Sequence, residues 1–281
     1  MAVPLTASED EARERLEIEL LLEAIHRRYS YDFRGYALAS LRRRMWHRVH
    51  AEGLRTLSGL QERILHDPAC MDRLLRDLSI NVTEMFRDPG FYRALRERAF
   101  PLLRTYPFIR VWDAGCSTGE EIYSLAIALR EEGLLERTRI YATDINGPAL
   151  DRAREGTFPL GRMKRYTENY LSAGGRESFS SYYVADSDRA RFDPTLAEGV
   201  VFAQHNLVTD GSFNEFHLIV CRNVMIYFGF DLQEEVLQLF GESMTRFGIL
   251  ALGRKESIRR SSQAELYEPL EEAERIFRRR R

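Results

Sequence analysis

The hydrophobic pattern of this chain changes near residue 105. Before that point, apolar residues recur at intervals of three and four, which predicts an all-helical segment over residues 11–103. The stripes that we expect to face its core are Leu16, Leu20 and Ile25; Leu38, Leu41, Met45 and Val49; Met71, Leu74, Leu75 and Leu78; and Phe91, Leu95 and Leu102. Beyond it, short apolar runs alternate with helical stretches, which is typical of an α/β protein with a parallel sheet.

The second part of the chain can be divided further. The predicted strands are 108–113, 138–143, 200–205, 217–222 and 247–253, and the predicted helices lie near 119–132, 147–155 and 231–245. Between Gly156 and Gly199 the alternation stops, and the segments 179–184 and 189–192 could pair as a small antiparallel excursion. We therefore predict a helical domain over 1–103, a linker at 104–107, and an α/β domain over 108–281 with an insertion at about 160–199. We expect the arginines at 278–281 to form a frayed end.

Composition narrows the class of protein. The 281 residues are 44% hydrophobic and 30% charged, with a net charge of −2, which is typical of a globular protein and argues against one that coats nucleic acid. No apolar run reaches the roughly 18 residues that a membrane span needs, so we expect a cytoplasmic protein, most simply a monomer. The cysteines Cys70, Cys116 and Cys221 are widely spaced, which indicates neither a disulfide framework nor a metal site.

A glycine turn follows the first predicted strand, in the sequence D-A-G-C-S-T-G-E-E over residues 113–121. Gly115 and Gly119 let a ligand approach the backbone closely, and we expect Ser117 and Thr118 to cap the helix that follows. The spacing G-x-x-x-G differs from the G-x-G-x-x-G of dinucleotide-binding folds. Acidic residues in the first helical turn would also repel a diphosphate.

These features favour a nucleoside ligand that is cationic and carries no phosphate, and S-adenosylmethionine meets both conditions. Asp144 ends the second strand, where a carboxylate usually holds ribose hydroxyls, although it could also serve as the N-cap of the next helix. Polar residues likewise end later strands, at Asn206 and Arg222. Because the carboxyl ends of parallel strands meet at one edge of a sheet, we expect these side chains to surround one site.

Four motifs occur together in this chain: N-V-T-E-M-F-R at 81–87, the turn at 113–121, N-L at 206–207, and C-R-N-V-M-I-Y-F at 221–228. With them, the chain resembles bacterial chemotaxis receptor glutamate methyltransferases over roughly residues 15–258. The resemblance implies an N-terminal helical domain, a Rossmann-like domain that binds S-adenosylmethionine, and a small β-subdomain inserted into it. It also implies transfer of a methyl group to glutamate carboxylates of a chemoreceptor, with S-adenosylhomocysteine as the product.

The resemblance further assigns roles to single residues. It implies that the cofactor is contacted from the helical side by Asn81, Thr83 and Arg87, at the ribose end by Glu121 and Asp144, beside the adenine by Asn206 and Leu207, and otherwise by Gly115, Arg222 and Asn223. The residues that it places at the reacting methyl group, and that we take as catalytic, are Arg87, Arg222 and Tyr227.

These residue types suit transfer to a carboxylate. A glutamate is already ionised at neutral pH, so the enzyme needs no general base and has to align and partly desolvate the acceptor. The guanidinium groups of Arg87 and Arg222 can each fork onto a carboxylate without exchanging protons. Structural alternatives stay open: Arg87 could pair with Glu84 or Asp88, Arg222 could meet an acid instead of a ligand, and Tyr227 could be a core aromatic residue.

The predicted helix at about 36–50 has a basic flank. Arg42, Arg43, Arg44 and Arg48 accompany the apolar stripe, and the resemblance implies that this helix contacts the acidic, helical methylation region of a receptor. The alternative is a solvated charged face.

Two positions depart from the pattern of the family. Arg254 and Lys255 stand where relatives usually have histidine and serine, and His217 stands where an acid commonly begins a strand. Because we expect both positions near the site, substrate specificity could differ. A methyltransferase for another acceptor and a non-catalytic module that binds S-adenosylmethionine are therefore the alternative functions.

Overall fold

The computed structural model describes residues 7–79 and 83–280. By packing, they form two compact units, the first with residues 7–79 and 227–233 and the second with residues 83–226 and 234–280. None of the helices within these described residues is long and apolar enough to cross a membrane.

The first unit is helical. Its helices within residues 7–79 are α1 (Ala7–Tyr29), α2 (Leu38–Ala51), α3 (Leu57–His66) and α4 (Pro68–Leu78). Side-chain caps fix two of the helix starts, because Thr56 accepts a hydrogen bond from the amide of Gly59 and Asp67 accepts one from the amide of Ala69, each across 3.0 Å. The predicted stripes of α2 and α4 are buried, except for Leu38.

The core face of α1 differs from the predicted stripe. Leu16 and Leu20 are 54% and 51% exposed, although we expected both inside. Five apolar residues stand within positions 16–22, so one helix face cannot bury them all. The residues that α1 buries follow the spacing i, i+3, i+4, i+7, and they are Ile18, Leu21, Leu22 and Ile25.

The second unit is built on a mixed sheet. Among the described residues the sheet has seven strands in the order β6-β2-β1-β7-β8-β10-β9. Their bounds are β1 (Ile109–Ala114), β2 (Thr138–Asp144), β6 (Val200–Gln204), β7 (Phe216–Cys221), β8 (Met244–Leu252), β9 (Tyr267–Glu271) and β10 (Ile276–Arg279). The pairs β2–β6, β1–β2, β1–β7 and β7–β8 are parallel, so the carboxyl ends of these strands share one edge.

Helices cover the sheet. They are α5 (Pro89–Ala94), a π-helical turn (Leu95–Ala99), α6 (Phe100–Leu103), α7 (Glu120–Glu131), α8 (Gly147–Glu155) and α10 (Phe230–Glu242). Trp112 of β1 is fully buried, and its ring lies 5.2 Å from that of Phe216 and 5.4 Å from that of Phe240. These aromatic contacts join β1, β7 and α10 in the core.

The insertion between α8 and β6 contains β3 (Thr157–Pro159), α9 (Met163–Ser172), β4 (Tyr183–Asp186) and β5 (Arg189–Phe192). Its strands form a small antiparallel sheet in the order β3-β5-β4. The structure therefore confirms the predicted fold class, including the antiparallel excursion.

The structure and the sequence pattern divide the chain at different places. Helices α5 and α6 carry helical periodicity, which led us to assign them to the helical domain, with a linker at 104–107. Phe91, Tyr92 and Phe100 are fully buried in the core that also contains Ile122 and Leu125 of α7, so these helices pack with the second unit.

Two of the four arginines for which we expected a frayed end lie in a strand, and Arg281 lies outside the described residues. Arg278 and Arg279 lie in β10, which pairs antiparallel with β8 and β9. The Arg279 guanidinium donates to the carbonyl oxygens of Gly241 at 2.7 Å and Met244 at 2.8 Å. The sequence pattern missed this strand pair because its run of arginines hides the apolar alternation.

Candidate active site

The glycine turn begins at the end of β1. The amides of Gly115 and Cys116 both donate to the carbonyl oxygen of Thr143 in β2, at 2.8 and 2.9 Å. Gly115 has a φ of +90°, and a Cβ atom there would lie 2.4 Å from Cγ2 of Val224. Both the backbone conformation and the packing against the loop after β7 therefore require glycine.

The turn leads into α7 through Gly119, whose φ is +95°. The Thr118 hydroxyl, which we expected to cap the helix amides, instead donates to Oε2 of Glu120 across 2.6 Å. Oε1 of Glu120 accepts a hydrogen bond from the Tyr166 hydroxyl at 3.2 Å. Burial raises the pKa of this Glu120 carboxyl group.

Asp144 joins the tip of β2 to the glycine turn. Its Oδ2 accepts a hydrogen bond from the Ser117 amide at 2.9 Å, and its Oδ1 accepts one from the Asn146 amide at 2.8 Å. The N-cap of α8 is Asn146, whose side chain accepts from the Ala149 amide. The side chain that caps this helix is thus that of Asn146, and the Asp144 carboxylate lies against the turn.

Arg222, just beyond β7, lies at the centre of a buried polar network. Its guanidinium donates to Glu121 at 2.8 Å, to Asp88 at 2.7 Å and to the backbone carbonyl of Arg87 at 3.0 Å. The same group lies 4.1 Å from the ring centroid of Phe91, and the side chain is only 2% exposed. Arg222 therefore pairs with acidic side chains, which the sequence analysis gave as the alternative to a contact with a ligand.

Asp113 completes an acidic lining around the turn. It is 1% exposed, and its Oδ2 has no hydrogen-bond partner within the described residues. Burial, together with the negative charge of Glu121, raises the pKa of this carboxyl group well above its ordinary value. The carboxylates of Glu121 and Asp144 suit a ligand that carries positive charge and hydroxyl groups and disfavour one that carries phosphates, and the unused oxygen of Asp113 adds a hydrogen-bond acceptor. The residues at the turn therefore fit S-adenosylmethionine.

The loop after β7 is held by Glu256, which the sequence analysis did not single out. The Glu256 carboxylate accepts hydrogen bonds from the amides of Gly253 at 2.6 Å, Asn223 at 3.1 Å and Val224 at 2.9 Å. It is 4% exposed, and burial raises the pKa of its carboxyl group. The sequence did contain a signal for this residue, an acid two residues after Arg254. We interpreted that stretch only through Arg254 and Lys255, which differ from the residues usual in the family. Asn223, a predicted cofactor contact, thus lies in a fixed loop beside the turn.

The structure describes only residues 83–87 of the motif at 81–87, from which we predicted cofactor contacts on the helical side. Asn81 lies outside the described residues. Thr83 and Arg87 are both half-buried, and the backbone of Arg87 is tied to Arg222. Of the two acids that we considered as partners of Arg87, Glu84 pairs with Arg165 at 3.4 Å and Asp88 pairs with Arg222.

Asn206 and Leu207 follow β6 at the same edge of the sheet, and both are half-buried. Asn206 Oδ1 accepts a hydrogen bond from the Val208 amide at 3.0 Å, and the Asn206 amide donates to Asp210 at 2.8 Å. These bonds fix the loop in which both predicted adenine contacts lie.

His217 does not belong to this edge, although we expected it near the site. It is the second residue of β7, at the amino end of the strand, and its Nδ1 accepts a hydrogen bond from the Arg110 amide at 3.0 Å. Burial lowers the pKa of its imidazole. Arg254, two residues beyond β8, lies at the carboxyl edge, where its guanidinium donates to both carboxylate oxygens of Glu274.

The remaining predicted residues belong to the first unit. Tyr227 is half-buried, and the Arg44 guanidinium lies 4.4 Å from its ring centroid. Arg44 is 5% exposed and donates to the carbonyl of Leu78, so it is not part of an exposed basic flank. Arg48 is also mostly buried, and it donates to Asp77 at 2.7 Å.

Two of the predicted receptor contacts are exposed. Arg43 is exposed, and Arg42 is 57% exposed while donating to Glu14 at 2.7 Å. The periodicity could not separate the four arginines, because long side chains at neighbouring helix positions can point either into a polar interior or into solvent.

The structure thus brings together in one network Arg222, Glu121, Asp88 and the backbone of Arg87, and it joins Asp144 to the turn at Gly115. The catalytic and cofactor roles assigned to these residues stay predictions.

Comparison with known proteins agrees with this architecture. The family model described as CheR methyltransferase, SAM binding domain, matches residues 81–273, and the one described as CheR methyltransferase, all-alpha domain, matches residues 16–79. The Pseudomonas putida protein Cher3, whose name gives methyltransferase activity as provisional, is 54% identical over 263 residues, 94% of this chain and 96% of that protein.

Two further relatives are named chemotaxis protein methyltransferases. The protein of Salmonella typhimurium is 32% identical over 241 residues, covering 81% of this chain and 80% of the relative. The protein of Listeria monocytogenes is 29% identical over 236 residues, covering 83% of this chain and 87% of the relative. The chain belongs to the CheR methyltransferase family, and its second unit is the domain that binds S-adenosylmethionine.

Proposed function

We propose that this protein is a protein-glutamate O-methyltransferase that forms methyl esters on the cytoplasmic helical methylation region of a chemoreceptor. The observation that carries the proposal is the buried network of Arg222, which ties the backbone of Arg87 to Glu121 beside an acid-lined glycine turn. The names of the chemotaxis relatives support the class of acceptor.

The lining of the turn favours the cofactor over other nucleotides. When bound, S-adenosylmethionine supplies a methyl group on a positively charged sulfur atom. Glu121 and Asp144 offer carboxylate oxygens to positive charge and to ribose hydroxyls, and Asp113 adds an acceptor without a partner in the described residues. Contacts with Thr83, Asn206, Leu207 and Asn223 complete the proposed cofactor site.

The acceptor is proposed to meet Arg87. A glutamate side chain, with a pKa of about 4.3, is ionised at neutral pH and needs only to be held about 3 to 3.5 Å from the methyl carbon. Both terminal nitrogens of Arg222 are engaged inside the protein, and the resemblance to the family places Arg87 beside the reacting methyl group. We therefore assign alignment of the acceptor to Arg87 and alignment of Arg87 to Arg222. That Tyr227 donates a further hydrogen bond to the acceptor stays a prediction.

Receptor binding is proposed for the exposed part of α2. Arg42 and Arg43 present positive charge to solvent, which suits an acidic helical partner. Arg44 and Arg48 support this surface from inside the unit, since both donate hydrogen bonds to residues of α4.

Labelling decides between the possible acceptors. The protein is incubated with S-adenosylmethionine that carries a labelled methyl group and with the cytoplasmic fragment of a chemoreceptor, and the product is treated with mild base. Release of the label as methanol indicates an ester and supports the proposal. A base-stable label indicates another acceptor, and tight cofactor binding without labelling indicates a non-catalytic module.

A matched pair of variants tests the role of Arg87. Arg87→Lys keeps the charge and loses the fork, so we expect kcat/KM to fall about 100-fold or more. Arg152→Lys, at an exposed position of α8, serves as the control and should retain activity.

A further inference from the structure

Helix α9 of the insertion, together with Arg162 directly before it, lies against the motif segment 83–86. One contact reaches each residue of that segment: Arg162 donates to the carbonyl of Thr83 at 3.4 Å, Arg165 pairs with Glu84 at 3.4 Å, Asn169 Nδ2 donates to the carbonyl of Met85 at 2.9 Å, and the Tyr170 ring lies 5.2 Å from that of Phe86. The insertion separates strands of the main sheet along the chain, and it contacts each of the residues 83–86 in turn.

The same face of the helix also reaches the glycine turn. Arg162 directly precedes α9 and lies at helical spacing from Tyr166 and Asn169, so the three positions share one side. From this side the Tyr166 hydroxyl donates to Glu120, the first residue of α7. The helix therefore touches two parts of the proposed cofactor site, the motif segment and the start of α7.

The contacts differ in strength. Arg165 is 63% exposed, and exposed ion pairs contribute little. The bond from Arg162 is long at 3.4 Å, and its side chain is 54% exposed. Asn169, in contrast, is 3% exposed, and its 2.9 Å bond supplies a donor to a backbone carbonyl next to the fully buried Met85 side chain. Loss of the Asn169 donor should therefore destabilise the segment most, since the buried carbonyl of Met85 would be left without a hydrogen-bond partner.

The segment needs such a restraint. Phe86 in the segment and Asp88 two residues beyond its end have φ angles of +51° and +55°, a conformation that non-glycine residues avoid unless their surroundings impose it. The Phe86 amide donates to the Ser124 hydroxyl at 2.9 Å, which fixes the segment from the side of α7. Asn169 fixes it from the side of the insertion.

We propose that Asn169 is a positioning residue for methyl transfer: by holding the carbonyl of Met85, it sets the backbone path that places Thr83 and Arg87 at the cofactor site. This inference rests on the proposed roles of Thr83 and Arg87. It gives the inserted element a function inside the catalytic unit.

The test uses the full chain and the substitution Asn169→Asp, which keeps the size of the side chain and replaces the donor by a carboxylate that repels the Met85 carbonyl. We expect affinity for S-adenosylhomocysteine, measured by calorimetry at pH 8, to fall about tenfold. Protonation of the introduced carboxyl group restores a donor, so the deficit should shrink as the pH is lowered toward 5.5. Asn169→Ala should show a similar loss without that recovery.

Tyr182→Phe is the matched control, because it removes a buried hydrogen bond of the same insertion, to Glu131 at 3.0 Å, without touching the motif segment. A role in positioning predicts that this variant keeps its affinity for S-adenosylhomocysteine even when its unfolding temperature falls as far as that of Asn169→Asp. Equal losses of affinity in the two variants, or unchanged affinity in Asn169→Asp, would overturn the proposal. Binding of S-adenosylhomocysteine does not involve the acceptor, so these results stand even if the chain methylates no receptor fragment.

Discussion

The guanidinium of Arg222 donates to the carboxylate of Glu121 across 2.8 Å, although the two residues are 101 positions apart in the chain. Their side chains are 2% and 13% exposed, so this pair lies in the interior. It joins the carboxyl end of β7 to the first turn of α7. Because charges in such a place depend on each other, removing one partner leaves the other buried without compensation.

Arg222→Ala should therefore lower the free energy of unfolding by about 3–5 kcal/mol and reduce methyl transfer at least 100-fold. Denaturant titration and a labelled-methyl assay measure the two effects. Arg254→Ala is a suitable control for stability, because Arg254 is 51% exposed in its pair with Glu274 and should cost no more than about 1 kcal/mol. Comparable losses of stability in both variants would mean that the interior network is no more important than a surface pair.

Gly115→Ala should disrupt the turn through two separable effects. The φ of +90° strains any residue with a Cβ atom, and that atom would lie 2.4 Å from Val224. Gly133→Ala isolates the first effect, since its φ is +67° and nothing lies within 4 Å of the added atom. We expect Gly133→Ala to cost about 1–2 kcal/mol and Gly115→Ala clearly more.

Combining Gly115→Ala with Val224→Ala should recover part of the additional loss, because it removes the clash and leaves the backbone strain. A double-mutant cycle in denaturant measures this coupling. Strictly additive losses would show that the contact between the turn and the loop after β7 is unimportant.

Asp113→Asn should change how stability depends on pH. Burial raises the pKa of Asp113 in the folded protein, so the folded state holds its proton more tightly than the unfolded state does. The free energy of unfolding therefore falls as the pH rises from about 4 through the raised pKa, and it stays low above that value. The asparagine variant lacks this dependence, so it should gain stability relative to the natural chain as the pH rises from 5 to 8. Parallel stability profiles for the two proteins would contradict the interpretation.

The sequence predicted what depends on local pattern and on the positions where strands end. The spacing of Gly115 and Gly119 and the acid at Asp144 located the turn, since strand ends in a parallel sheet must converge. It could not predict which acids would pair with Arg222, because such pairing is decided by distant parts of the chain.

Amphipathic runs with too many apolar or basic residues were also ambiguous. Leu16 and Leu20 compete with Ile18 and Leu21 for one helix face, and only packing decides between them. The restraint on the motif segment by Asn169 has no sequence signal at all, because a single asparagine in a helix is more often a surface residue.

The basic helix α2 offers a last test, in which neighbouring arginines should have opposite effects. Arg44 is buried, stacks on Tyr227 and donates to the carbonyl of Leu78, so Arg44→Ala should lower the free energy of unfolding by about 2–4 kcal/mol. Arg43 is exposed, and Arg43→Ala should leave stability within about 0.5 kcal/mol. If α2 meets an acidic receptor, the Arg43 variant should bind the receptor fragment several-fold more weakly at low salt, and the difference should shrink as salt is added, because exposed charges are screened. Unfolding curves and calorimetry at two salt concentrations separate the two arginines. Unchanged receptor binding by the Arg43 variant would favour the alternative that this face of α2 is only solvated.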